Sequence, residues 1–234
     1  MKVAIASIFR DSASYVVRYI GQVAALRDAL TARGDTLKAV WGEGDSIDRT
    51  AVKLAEAARK ASIDCALIDV AHGGAKFGSV DVEQRWRQIS YCCNTVLDQI
   101  PTDADVVMYV ESDLVWNAAQ LLDLIDDVSQ FGMDAIAPMS MALGETPLRF
   151  YDTWGHRSGG VAFQPYAPFH EGLALNPHIA LPLDSAGSCI VMRGEVARSA
   201  RFDPPEMGIV GFGHDLNAKG YTMVLDPSTS VWHP

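Results

Sequence analysis

The chain has 234 residues, of which 49% are hydrophobic, and this is the size of one globular domain. Its 19 Lys and Arg residues stand against 29 Asp and Glu residues, so the formal net charge is −10. This acidity disfavours a protein that grips a nucleic-acid backbone, and no apolar stretch reaches the ~18–20 residues that a membrane-spanning helix needs.

Short apolar runs and helical patterns alternate through the first 139 residues. The predicted strands are Lys2–Phe9, Leu37–Trp41, Ile63–Val70, Val106–Val110 and Ala135–Ala137. The predicted helices are one that Asp11 or Ser12 caps and that ends at Gly34, followed by Ser46–Ala61, Val82–Ile100 and Asn117–Ser129. This alternation predicts βαβ units, and therefore an α/β domain with a mostly parallel sheet and helices on both faces.

The regular pattern stops between Ser140 and Pro182. This segment contains glycines, prolines, aromatic residues and histidines without a clean period, which is typical of a functional loop. Short strands are predicted again at Ser188–Met192 and Thr222–Leu225, with a helix inside Glu206–Gly220. No repeat or linker divides the chain, so we expect one domain.

The cysteines and the N-terminus indicate in which cellular compartment the protein is expected. The four cysteines are Cys65, Cys92, Cys93 and Cys189. They form neither a Cys-x-x-Cys pair nor the spacing of a zinc site. The N-terminus lacks the apolar core of a signal peptide, because Arg10 and Asp11 follow the first strand at once. We therefore expect free thiols, no membrane span and a cytoplasmic protein.

Two carboxylates, Glu111 and Asp113, follow the fourth predicted strand, with Ser112 between them. Ligands of open α/β sheets bind beyond the carboxyl ends of the parallel strands, where this segment lies. Residues i and i+2 of an extended segment point to the same side, so the two carboxylates would repel each other unless a cation lies beside them. One interpretation is Mg²⁺ or Mn²⁺ that also binds a diphosphate; the other is a solvated acidic turn.

The loops after the first two strands offer further polar groups. Arg10 could pair with a phosphate or with a neighbouring carboxylate. Glu43 or Asp45 could accept hydrogen bonds from a ribose or a base, and Gly42 and Gly44 would let a ligand approach the backbone. The chain has neither a glycine-rich dinucleotide fingerprint nor a Walker A lysine at the first turn, which excludes most NAD enzymes and P-loop NTPases.

Two residues near the C-terminus could take part in chemistry. Asp215 could act as a general base if it faces an acceptor. His233 could supply an imidazole to a metal ion, and the alternative for it is a surface or capping role.

An ordered set of short motifs extends over nearly the whole chain. It comprises Arg10, Asp45-Ser-Ile-Asp48-Arg-Thr50, Glu111-Ser-Asp113, Tyr151-Asp152-Thr-Trp154, Pro-Leu-Asp-Ser (182–185), Phe-x-Pro-Pro (202–205), Gly-Phe-Gly (211–213), Ala-Lys-Gly-Tyr (218–221) and Val-x-His (231–233). With this set the chain resembles a GT-A-fold glycosyltransferase, and most closely the fungal α-mannosyltransferase family that builds the mannan backbone from GDP-mannose.

The chain departs from that family at two places. Glu111 stands where the metal motif begins with Asp, so Asp113 is the better-supported ligand of the pair. Gly208-Ile-Val-Gly211 stands where the family has acidic residues, and Asp215 follows instead. Whether the anomeric configuration would be retained or inverted therefore stays open.

The resemblance implies a single GT-A, Rossmann-like domain and a metal-dependent glycosyltransferase. Its parts would be a nucleotide-binding half (1–139), an irregular acceptor or lid segment (140–182) and an acceptor-side half (183–234). The enzyme would move a hexose from a GDP- or UDP-linked donor to an acceptor hydroxyl, with Mn²⁺ or Mg²⁺ held by Glu111, Asp113 and His233. The donor-binding residues would be Ser7, Phe9, Arg10, Glu43, Asp45, Glu111, Ser112 and Asp113; the acceptor or lid residues Tyr151, Asp152, Trp154 and His214; and the catalytic carboxylates Asp184 and Asp215.

Two other functions stay open at this point. A nucleotidyltransferase that makes sugar nucleotides would share the α/β core and the carboxylates, although such enzymes usually carry a glycine-rich loop after the first strand and residues 7–12 contain no glycine. A catalytically silent module that binds nucleotide sugars is the second. The acceptor is not identified by the sequence, and the acidity of the chain disfavours a nucleic-acid acceptor without excluding it.

Overall fold

The described residues form a central eight-stranded sheet with helices on both faces. The computed structural model describes residues 1–78, 80–175, 179–203 and 208–234. The strands of the sheet are β1 (Lys2–Phe9), β2 (Thr36–Glu43), β3 (Cys65–Asp69), β4 (Val106–Val110), β5 (Ala135–Ala142), β8 (Leu181–Leu183), β9 (Cys189–Arg193) and β10 (Met223–His233), and a separate small hairpin pairs β6 (Arg157–Ser158) with β7 (Val161–Ala162). The helices are α1 (Val16–Ala32), α2 (Thr50–Lys60), α3 (Glu83–Leu97), α4 (Ala118–Phe131), α5 (Glu171–Leu175), α6 (Gly194–Ser199) and α7 (Gly208–Ala218).

The strand order is β3-β2-β1-β4-β9-β5-β10-β8. The first four strands are parallel to one another, and β10 is parallel to β5. β9 runs antiparallel between β4 and β5, and β8 runs antiparallel to β10 at the edge. The prediction of a mostly parallel sheet is therefore confirmed.

Alternation along each strand divides the core into two layers. In β1, Val3 and Ile5 belong to the layer that α1, α2 and α4 cover. Ala4 and Ala6 belong to the layer that α3, α6 and α7 cover. Because successive strand side chains point to opposite faces, a short run that is apolar at every position is buried on both sides.

The last strand is longer than predicted. β10 covers 223–233 rather than 222–225, and its parallel pairing with β5 continues to the end. Asp226 pairs with Pro138 and Ser230 pairs with Met139, so residues 227–229 form a bulge between two paired stretches. The sequence there, Asp-Pro-Ser-Thr, is typical of a turn, and this is why the second stretch was not predicted.

The segment 140–182 is also more regular than expected. It contains the end of β5, the β6–β7 hairpin, α5 and the start of β8. Residues 176–178 of this segment lie outside the described residues. The same holds for residues 204–207, which include the two prolines of the Phe-x-Pro-Pro motif and the start of the helix predicted within 206–220.

The first two helices begin later than predicted. α1 starts at Val16, and Asp11 does not cap it: its carboxylate accepts a hydrogen bond from the Ile47 N–H and pairs with Lys76 at 2.7 Å. The Ser12 side chain does not cap the helix either: its hydroxyl hydrogen-bonds the Tyr15 hydroxyl at 2.7 Å, and its carbonyl accepts from the Tyr15 and Val16 N–H groups. The end of α1 is as predicted, because Gly34 follows it with a φ of 83°.

The four cysteines are free, as expected. Burial raises the pKa of the Cys92 thiol to about 11, so this thiol is protonated at neutral pH. In the described part of the chain, no helix has the length and apolar character that crossing a bilayer requires.

Candidate active site

A cavity of about 680 Å³ opens at the carboxyl ends of β1 and β4, beneath the loop that follows β3. Helix α3 and the segment that follows β5 supply its other sides. The residues predicted from the sequence that line it are Phe9, Arg10, Glu111, Ser112, Asp113, Tyr151, Asp152, Trp154 and His233. The fold thus brings together groups that lie up to 224 positions apart, as the rule for open parallel sheets predicts.

Asp113 and His233 meet at the mouth of this cavity. His233 Nε2 lies 3.0 Å from Asp113 Oδ2, and the imidazole stacks on the Tyr151 ring with centroids 3.7 Å apart and an interplanar angle of 8°. Arg18 donates a hydrogen bond to the backbone carbonyl of Asp113, which holds the turn after β4. The full length of β10 is what delivers His233 to this point.

Glu111 is half-buried in the cavity, with the carboxylates of Asp113 and Asp152 nearby. Its backbone N–H donates to the Ser188 carbonyl at 2.8 Å. Burial, with Asp113 and Asp152 nearby, raises the pKa of Glu111 to about 8, and the cationic Arg85 opposes this rise. A raised pKa of this origin indicates carboxylates that share a pocket without enough positive charge.

Asp152 is a buried carboxylate with several hydrogen-bond donors. Oδ1 accepts from the Gly155 N–H at 2.9 Å, and Oδ2 lies 3.2 Å from His156 Nδ1 and 3.3 Å from Ser188 Oγ. Burial opposes its ionisation, but the His156 interaction and the other hydrogen bonds hold the pKa of Asp152 below its usual value. A Cβ at Gly187 would lie only 2.2 Å from Oδ2, so the backbone packs directly on this carboxylate.

Arg10 after β1 and Asp45 after β2 hydrogen-bond the loop that follows β3. Arg10 donates to the carbonyls of Gly74 at 2.9 Å and Ala75 at 3.4 Å. Asp45 accepts from the backbone N–H groups of His72 and Gly73. A Cβ at Gly44 would lie 2.4 Å from the Ala71 backbone nitrogen, so this glycine is needed for the close approach of residue 71. Gly44 also lines the cavity, and the approach of a ligand to its backbone stays a prediction.

Gly42 also serves internal packing. A Cβ there would lie 2.6 Å from a Val96 methyl group of α3 and 3.0 Å from Val70. Glu43, beside it, does not line the cavity, and its Oε1 is buried without a hydrogen-bond partner among the described residues.

Several predicted residues lie outside the cavity. Ser7 is fully buried and donates to the Val110 carbonyl at 2.6 Å, which is a contact between β1 and the end of β4. Asp184 accepts from the Gly160 N–H at 2.6 Å. Asp215 accepts from the Arg201 N–H at 2.7 Å and pairs with Lys219 at 2.6 Å, and the neighbouring His214 is exposed on α7. Their catalytic or acceptor roles stay predictions.

Helix α3 contributes groups that the sequence analysis did not single out. Arg85 and Trp86 line the cavity, and the Arg85 guanidinium lies over the Trp86 ring at 4.2 Å from its centroid. Trp86 makes an edge contact with Trp154 across the cavity, at 6.2 Å between ring centroids. The only local signal was the position of this helix after a strand-end loop, which did not distinguish these residues from others on α3.

Among the described residues, no three His, Cys, Asp or Glu side chains lie close enough to enclose a metal ion by themselves. A cation here would therefore have about two protein ligands, and the Asp113 carboxylate and the His233 imidazole, 3.0 Å apart, are the pair that could supply them. Mg²⁺ and Mn²⁺ are commonly bound in this way, because phosphate oxygens and water complete their coordination.

Solved glycosyltransferases have the same fold. Staphylococcus aureus TarS (residues 1–349) superimposes with a TM-score of 0.63 at 12% identity, over 100% of this chain and 60% of TarS. The mannosyltransferase PcManGT from Pyrobaculum calidifontis, in complex with GDP-Man and Mn²⁺, gives 0.64 at 12% identity, over 99% of this chain and 56% of that one. GalNAc-T7 with UDP, GalNAc and Mn²⁺ gives 0.60 at 11% identity, over 99% and 43%.

These comparisons confirm the predicted GT-A fold as a single α/β domain. The chain spans 60% or less of the length of these structures. No protein-family model matches the chain, and no curated protein matches it. The narrower resemblance to the fungal mannan-building family stays a prediction.

Proposed function

We propose that the protein is a metal-dependent glycosyltransferase that moves a hexose from a GDP- or UDP-linked donor to an acceptor hydroxyl. The observation that carries this proposal is the meeting of Asp113 and His233 in the strand-end cavity, which the half-buried Glu111 also lines. The GT-A fold supports it, because relatives in fold were solved with UDP-GlcNAc and with GDP-Man.

The residues fit a divalent cation. Asp113 and His233 offer a carboxylate oxygen and an imidazole nitrogen, which Mn²⁺ accepts together. Burial and the neighbouring Asp113 and Asp152 carboxylates raise the pKa of Glu111, and a bound cation would oppose that rise. When bound there, Mn²⁺ or Mg²⁺ would stabilise the negative charge that develops on the leaving diphosphate.

The protein's own side chains orient this site. Tyr151 fixes the plane of the His233 ring by stacking, and Arg18 anchors the Asp113 backbone. The cavity walls from α3 and residues 149–154 reduce access of water, which would otherwise hydrolyse the donor. In the transfer, the acceptor oxygen bonds to the anomeric carbon and the bond from that carbon to the diphosphate oxygen breaks.

Asp152 is the carboxylate that we place on the acceptor side. It lines the cavity, whereas the hydrogen bonds of Asp184 and Asp215 lie outside it. If the reaction inverts the anomeric configuration, Asp152 takes the acceptor proton; if it retains the configuration, the leaving phosphate takes it.

A melting-temperature screen with product analysis tests the function. We expect a GDP- or UDP-hexose to raise the melting temperature only when Mn²⁺ or Mg²⁺ is present, since a ligand at 100 times its Kd adds about 2.7 kcal/mol to stability. We also expect release of the nucleoside diphosphate. Release of pyrophosphate from a nucleoside triphosphate and a sugar phosphate would identify a nucleotidyltransferase instead, and binding without release would identify a silent module.

A further inference from the structure

Four cationic side chains of Arg or Lys line the cavity, and three of them are already engaged. Arg10 donates to two loop carbonyls, Lys76 pairs with Asp11 at 2.7 Å, and Arg149 pairs with Glu145 through two contacts of 2.7 Å. Each of these three side chains therefore has a partner within the protein, although Arg10 Nε is buried without one and Lys76 uses one of its three N–H donors.

Arg85 differs from the other three. Its side chain makes no hydrogen bond and no ion pair with any residue in the described ranges, and its Nη1 is buried without a partner. Its guanidinium face rests on Trp86, so the N–H groups along its edge stay available. Glu111 and Tyr151 lie within electrostatic range, which places Arg85 on the metal side of the cavity.

A half-buried guanidinium that no anion hydrogen-bonds has lost hydration and gained no hydrogen bond in return. Such a group favours an anionic ligand, and the planar fork of arginine matches two phosphate oxygens. Trp86 also restricts where the fork can point, because moving it would expose the stacked ring.

We propose that Arg85 binds the diphosphate of the nucleotide-sugar donor and stabilises it as the leaving group. The inference rests on the proposed function, since it takes the donor class from it. The sequence suggested that Arg10 could pair with a phosphate. In the structure the Arg10 guanidinium binds the loop after β3, and we assign the phosphate-pairing role to Arg85.

Calorimetric titration of Arg85→Gln tests this proposal, with Arg87→Gln as the matched control. Arg87 lies on the same helix, is exposed and pairs with Glu83, so it reports the general effect of removing one positive charge. The probes are GDP and UDP, with guanosine and uridine as phosphate-free counterparts. Each is titrated once with Mn²⁺ and once with EDTA.

We expect Arg85→Gln to weaken the better-bound nucleoside diphosphate at least ~10-fold in the presence of Mn²⁺, a loss typical of a charge-assisted contact, and we expect the titrations in EDTA to show no binding by any variant. Nucleoside binding should change less than twofold, and Arg87→Gln should match the wild type. Arg85→Lys keeps the charge but not the fork, so we expect an intermediate loss; it also serves if Arg85→Gln does not fold.

Two results would overturn the assignment. Diphosphate affinity of both Arg85 variants within twofold of the wild type would reject it while leaving the proposed function intact. A wild-type protein that binds neither GDP nor UDP would reject both proposals.

Discussion

The two walls of the cavity are built in different ways. The strand-end wall, residues 8–10 and 109–113 with His233, follows from parallel strands that stop at one edge of the sheet. The segment wall, residues 149–156 with Ser188, is held by polar contacts to Asp152 and by packed rings. Phe150 lies at the centre of that packing, with its ring 5.0 Å from those of both His156 and Phe163.

In the strand-end wall, the side chains that could take part in the reaction are not the groups that hold the fold together, whereas in the segment wall they are. A side chain that projects from a strand end can change while the backbone ladder stays. In the segment wall the same residues form both the surface of the cavity and its support. We therefore expect substitution of Asp113 or His233 in the strand-end wall to affect activity alone, and substitutions in the segment wall to affect stability as well.

The largest effect is expected at Asp113. Asp113→Ala should lower transfer by roughly 10³-fold, because it removes a charged group from the place where leaving-group charge is neutralised. The side chain is 34% exposed, so the melting temperature should hardly change. Asp103→Ala is the control, since Asp103 is an exposed partner of Lys2 far from the cavity. Transfer by Asp113→Ala within a few-fold of the wild type would reject the metal site.

The second effect concerns folding of the segment wall. Phe150 is fully buried, and Phe150→Ala should lower the free energy of unfolding by about 3–5 kcal/mol, measured by denaturant titration. Phe131 is 72% exposed at the end of α4, and Phe131→Ala should stay within about 0.5 kcal/mol of the wild type. Equal effects of the two substitutions would show that the aromatic cluster does not support the wall.

Asp152 and Asp215 can be compared directly. Asp152→Asn should lower transfer by about 10²-fold and also lower the melting temperature, because an amide replaces the carboxylate that accepts from Gly155 and Ser188. Asp215→Asn should leave transfer within about threefold. The reverse ranking in a steady-state assay would favour the sequence-based assignment of Asp215.

The smallest effect is expected at Arg10. Arg10→Ala removes two hydrogen bonds to the loop after β3, a loss of about 1–3 kcal/mol in local stability. Amide hydrogen exchange in residues 71–78 should then become faster, while exchange in α4 stays unchanged. Unchanged protection of that loop would mean that Asp45 alone is sufficient to hold it.

The regular half of the fold follows from the sequence because its signal is local. The apolar runs at Val3 and Val106 identify strands buried on both faces, and their order predicts the edge where Glu111 and Asp113 project. The carboxylates could be placed in a cavity because the end of a parallel strand has a known neighbourhood.

The remaining parts depend on contacts between distant residues. Arg85 was singled out because its buried Nη1 has no hydrogen-bond partner among the described residues, and the sequence pattern of α3 does not predict this. Asp215 follows a glycine motif that suggested an active site, yet Gly213 is there because a Cβ would lie 2.2 Å from the Asp184 carbonyl. A turn-like sequence after Asp226 concealed the second stretch of β10.

The bulge at residues 227–229 separates the register of residues 230–233 from that of residues 223–226. Between Asp226 and Ser230 the strand advances four positions while its partner advances one, so the later residues follow an alternation of their own. Residues 230–233 pair with 139–142 as a separate stretch, so the bulge could lose one of residues 227–229 and leave both the pairing of Met223 with Ala135 and that of His233 with Ala142 in place. The imidazole, four to six residues beyond the bulge, would then keep its place beside Asp113, whereas deleting one of residues 230–232 would shift His233 out of register.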